Sequence, residues 1–142
     1  MAARQIIEPA VAAAAARGAD EADIVRLRAL AQATSDAKDW RSYEAADEAF
    51  HRAVAVATRS RLIIAILTLL SSVRGRARWQ RQHDRAFRAA HEREYSQAQG
   101  ALHLALVDAI AAQDGESAAA IMADHMDQIA RLMVEDGLPG AV

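Results

Sequence analysis

Apolar residues recur along the chain at spacings of three and four, the period of a helix that buries one face. The first such stretch, Arg4 to Ala16, carries Ile6, Ile7, Val11 and a run of alanines, with Pro9 expected in its tolerant first turn and Gly18 as a stop. Asp20 is placed to cap a second helix, with Asp23 in its first turn. Ile24, Leu27, Leu30 and Ala31 form that helix's apolar face. The polar stretch Ser35 to Asp39 reads as a loop, and a third helix runs from Trp40 to Ala57.

Ser60 is placed to cap a fourth helix that opens with Leu62, Ile63, Ile66, Leu67 and Leu70. It is apolar nearly all round, so it is expected inside the bundle or in a dimer interface. Charge is dense from Arg74 to Arg93. A fifth helix follows over Ala98 to Ala112, then a break at Asp114 and Gly115. A sixth helix runs to about Glu135, before Gly137 and Pro139. About six helices with short links predict an all-α antiparallel bundle.

Composition agrees with this reading. The chain has 142 residues, enough for one domain with its own core, and only 6 Gly and 2 Pro. No alternating β-branched run suggests a strand. No cysteine is present, which removes disulfides and thiolate metal sites and suits a cytoplasmic protein. The net charge of −2 lacks the basic excess of a nucleic-acid binder. The apolar run Leu62 to Leu70 is too short to span a bilayer, and the N-terminus does not resemble a signal peptide.

The chemistry lies in polar residues that fall on apolar faces. On the third helix, Tyr43, Phe50 and Val54 define an inward stripe that also holds Asp47 and His51, four residues apart. On the fifth, His103 precedes Leu106, Val107 and Ile110 at helical spacings. On the sixth, His125 lies among Ile121, Met122, Met126 and Ile129. Three helices thus aim titratable groups at one core, where an unpaired carboxylate costs several kcal/mol. One divalent ion would satisfy all four. Three imidazoles and a carboxylate suit Zn, with Ni, Fe or Mn as alternatives. A hydrogen-bonded polar core without metal is the competing reading, since lone buried histidines are commonly of that kind. His83 and His91, set among charges, read as surface residues.

These residues resemble a known family. Asp47 to His51, reading DEAFH, resembles the D-x-x-F-H signature of the FadR C-terminal domain (FCD), the effector-binding half of many GntR-type transcription regulators. The segment His103 to Ile110, HLALVDAI, resembles the family's H-x-x-I-x-x-A-I. Asp114 with His125 resembles its closing G-D…H pattern, and Arg4 to Ala16, with Ile7-Glu8-Pro9, its start. The resemblance spans nearly the whole chain. It implies metal ligation by Asp47, His51, His103 and His125, dimerisation, and control of DNA binding by a winged-helix domain. That domain is missing here, so the chain reads as a trimmed piece or, second, as a stand-alone effector domain. Two departures stand out. Ser60 replaces a frequent Asn, and Gly100, Ala101 and Leu102 hold no acidic residue before His103, which puts one supporting contact of the site in question.

The mechanism expected is sensing. A small carboxylate effector would meet the metal's open positions, and Arg74 and Arg78, four apart just past the apolar run, would hold another part of it. Three histidines and a carboxylate also suit a metal-dependent hydrolase. No general base is evident beside them, because Glu48 points about 100° away from Asp47. The reading is therefore a non-enzymatic sensor.

Overall fold

The computed structural model describes residues 2–74 and 92–135. Among them are six helices and no strand: α1 (Ala2–Gly18), α2 (Glu21–Ser35), α3 (Trp40–Ala57), α4 (Arg61–Arg74), α5 (Glu92–Ala111) and α6 (Gly115–Glu135). The caps expected at Asp20 and Ser60 form, and Asp39 and Asp114 cap their helices as well. Asp20 accepts from the Asp23 amide at 2.9 Å, and the Asp20 amide donates to the Asp23 carboxylate at 3.0 Å, a reciprocal capping box. Asp39 and Ser42 make the same arrangement for α3. Asp114 accepts from the Ser117 amide at 3.0 Å, and Ser60 from the Ile63 amide at 3.4 Å.

Five helices close a ring: α1 packs on α6, α6 on α5, α5 on α2, α2 on α3, and α3 on α1. The links α2–α3 and α5–α6 are short and join packed neighbours, so each of these pairs runs antiparallel. The core between them holds Leu27, Phe50, Leu106, Ile110, Met122 and Ile129, all nearly inaccessible. Each such side chain contributes roughly 1.5–3 kcal/mol relative to exposure. Two glycines permit close crossings. A Cβ on Gly18 would lie 2.6 Å from the Ala57 carbonyl oxygen, and one on Gly100 2.5 Å from the Ser35 Cβ.

Several expectations need correction. Pro9 lies in the interior of α1, not its first turn, because the helix already starts at Ala2. The ring removes one backbone bond, and the buried Val11, Ala12, Ala15 and Ala16 that follow hold the helix through it. Helix α5 starts at Glu92, earlier than Ala98. Within one chain helix α4 is not buried all round, which removes the first of its two expected settings: it packs on α3 with Leu67 buried, while Leu62 and Leu69 are 70% and 67% exposed. His83, His91, Gly137 and Pro139 lie outside the described residues.

Candidate metal centre

Asp47, His51, His103 and His125 are all buried, and one ligand atom from each falls within 4.8 Å of the others. Asp47 and His51 stand one turn apart on α3, so the ring's axis receives both. His103 reaches in from α5 and His125 from α6. The His125 Nε2 lies 3.0 Å from that of His51 and 3.3 Å from that of His103. The Asp47 Oδ1 is 3.4, 3.6 and 3.7 Å from the Nε2 atoms of His51, His103 and His125. The His103 ring stacks on Phe50, with centroids 4.0 Å apart, which fixes its plane. The facing argument from sequence thus placed all four correctly.

The opposite ring nitrogens settle the proton positions. His51 Nδ1 meets the Glu8 carboxylate, which only accepts. His125 Nδ1 meets the Gln99 Oε1 at 2.5 Å, again an acceptor. His103 Nδ1 lies 3.2 Å from the Thr34 hydroxyl, whose single proton goes to the Leu30 carbonyl at 3.2 Å. The hydroxyl therefore accepts from His103. All three imidazoles carry a proton on Nδ1, and each in its neutral form turns an Nε2 lone pair toward Asp47.

Electrostatics complete the picture. Burial pushes His103 down to about 3, Asp47 opposing, and carries His125 well below its ordinary value, aided by the neighbouring histidines. Both rings are neutral near pH 7. Burial lowers His51 as well, but Glu8 and then Asp47 reverse this and raise it. Burial would raise Glu8, yet His51 and Arg4 hold it far below the usual carboxylate range. Arg4 pairs with Glu8 one turn away on α1. One proton on His51 satisfies one contact at the centre, whereas a divalent cation satisfies the four donors together.

Metal fits this donor set. Atoms about 2.05 Å from a tetrahedral Zn stand about 3.3 Å apart, close to the spacings here. Cis ligands at about 2.1 Å on an octahedral ion stand about 3.0 Å apart, so both geometries are accommodated. Each histidine also has the outer hydrogen-bond partner that metal-bound imidazoles usually have.

Glu8, Thr34 and Gln99 were missed by sequence reasoning. Each lies on the same stripe as residues that were seen: Glu8 with Val11 and Ala12, Thr34 with Leu27 and Ala31, Gln99 with His103 and Leu106. At position 100 a larger side chain is excluded because Gly100 abuts Ser35, and one residue earlier Gln99 supports His125. Of the two arginines expected to hold an effector, Arg74 ends α4 with its side chain outside the described residues. Arg78 lies outside them altogether.

A helical ring that gathers three histidines and an aspartate at its centre defines an all-α binding domain with a metal-type donor set. The family model of the FCD domain matches residues 1–128, and the chain belongs to that family of regulatory, effector-binding domains. No curated protein matches the chain. Among the described residues, no helix is long and apolar enough to cross a membrane.

Proposed function

We propose that this chain is the sensing module of a GntR-type transcription regulator, holding a divalent transition metal through Asp47, His51, His103 and His125. The observation that carries the reading is the convergence of three histidine Nε2 atoms on a buried carboxylate oxygen. Zn is the first choice, with Ni, Fe and Mn as alternatives. When bound, the metal supplies a Lewis-acid position for a carboxylate of a small organic-acid effector. The imidazoles hold that position rigidly, because Glu8, Thr34 and Gln99 lock their orientations. Arg74 and Arg78 are assigned to a second group of the effector. The domain works as a homodimer in the cytoplasm, and effector binding changes DNA binding by a winged-helix domain through a difference in affinity between two arrangements. Membership in a regulatory family favours this over hydrolysis.

The test is metal content by elemental analysis of untagged protein purified without a metal column, beside His103→Ala. One equivalent of a transition metal per chain, lost in the variant, is expected. No metal in wild type, even after incubation with Zn, Ni or Mn, overturns the reading. A thermal-shift screen of organic acids on metal-loaded protein then seeks the effector. Arg74→Ala and Arg78→Ala are expected to weaken its binding while leaving metal content unchanged.

A further inference from the structure

Gln99 is 2% exposed, and the two ends of an amide are nearly equal in size, so hydrogen bonding decides its orientation. With the carbonyl toward His125 Nδ1, the histidine keeps its proton there and offers the Nε2 lone pair to the centre. With the NH2 group in that place, His125 would have to hold its proton on Nε2, and the donor would be lost. The orientation is decided next door on α6. The Gln99 Nε2 donates to the Gln128 Oε1 at 3.4 Å, and the Gln128 Nε2 donates to the Asp124 Oδ2 at 3.0 Å. A carboxylate only accepts, so Asp124 orients Gln128 and Gln128 orients Gln99. Arg131 stands 3.9 Å from the other Asp124 oxygen and leaves this contact in place.

Building on the metal reading, we infer that Gln99, Gln128 and the half-exposed Asp124 are positioning residues that set metal affinity by fixing the His125 tautomer. Gln128 and Asp124 touch no metal ligand's reacting nitrogen and act only through Gln99. Metal affinity is reduced by the fraction of protein in the wrong tautomer. Glutamate at position 99 would remove the dependence, because both of its oxygens accept and neither orientation is wrong.

The experiment measures Zn²⁺ affinity by competition with a chromophoric chelator, for wild type, Gln128→Leu, Gln99→Glu and the double variant. Alongside it, ¹⁵N histidine spectra of the metal-free proteins report which ring nitrogen of His125 carries the proton. Gln128→Leu is expected to weaken Zn²⁺ binding about tenfold and to move His125 toward the Nε2–H form, with unchanged helical content by circular dichroism. The double variant is expected to bind as tightly as Gln99→Glu alone. Loss of affinity that persists in the double variant means Gln128 acts by packing, and overturns the inference. Unchanged affinity and tautomer in Gln128→Leu overturns it too. If wild type takes up no Zn²⁺, the metal reading falls, while the metal-free spectra still decide the relay.

Discussion

Glu8 stands between a cation and a ring: Arg4 lies on one side and His51 Nδ1 on the other, all three buried. Its carboxylate holds the proton of His51 away from the centre, and it neutralises a guanidinium whose side chain is only 10% exposed. Removing one partner of a buried pair costs about 3–5 kcal/mol, because the other charge is left without compensation. Glu8→Ala is therefore expected to lower the unfolding free energy of the metal-free protein by about 3 kcal/mol, read by urea denaturation. A loss below about 1 kcal/mol would show that water takes over the arginine. The same variant is expected to weaken Zn²⁺ binding 10–100-fold, with His51→Ala as the reference for complete loss. Glu8 was hard to find in the sequence for a physical reason. Its helix face is built of alanines, which look alike on both sides of a helix, so a buried acid there shows no contrast. His103 and His125 sit among Leu, Ile and Met, and their inward direction was plain. Asking of every polar residue what was asked of the histidines would have found Thr34 and Gln99.

At the scale of elements, the ends of helices were the most legible features, since side-chain caps are written in single residues. Asp20, Asp39 and Asp114 each accept backbone N–H bonds; these hold Asp20 and Asp39 below their usual range, and at Asp114 the Ser117 hydroxyl does so first and the Ser117 amide second. A folded-state pKa below the unfolded value gives stability that is present above about pH 4 and fades as pH falls through the folded value. Acid titration of thermal stability is thus expected to show a decline below pH 4. The triple change of these aspartates to asparagine, which still caps, is expected to make the decline shallower without abolishing it, because the lowered Glu8 keeps its share. A decline of equal steepness in the triple variant would assign the acid limb to other carboxylates. The C-terminal ends were less legible, because two helices close on non-glycine residues with positive φ: Arg59 at 61° and Gln113 at 57°. Arg59 gains from its place, with contacts of 2.6 Å to both Asp20 and Asp23. Gln113 has no such return among the hydrogen bonds described, so Gln113→Gly is expected to relieve about 1 kcal/mol of backbone strain. A rise in melting temperature of about 3 °C would follow. A fall would mean that added freedom in the unfolded chain outweighs the strain.

Over the whole molecule, the donor set ties the ring together at its axis. Asp47 and His51 belong to α3, His103 to α5 and His125 to α6. Glu8 adds α1 and Thr34 adds α2 through their hydrogen bonds. Helix α4 supplies no donor and no hydrogen bond described to one; it docks mainly on α3, its Ile64 and Leu67 line a pocket beside Glu8 and His51, and two of its leucines are left exposed. This arrangement is why the sequence showed the site but not the fate of α4. Facing patterns tell which residues point inward on each helix, whereas how much of an apolar helix is covered depends on neighbours from distant parts of the chain. Zn²⁺ at 100 times its dissociation constant is expected to add about 2.7 kcal/mol to the folded state, roughly 8 °C in melting temperature. That stabilisation cannot be uniform. Local opening of any ring helix breaks the donor set, so amide exchange is expected to slow in α1, α2, α3, α5 and α6 on adding Zn²⁺. Helix α4 holds no donor, so its exchange is expected to stay close to the metal-free rate. Equal slowing in α4 would mean that it unfolds only together with the ring, and that the bundle is a single cooperative unit.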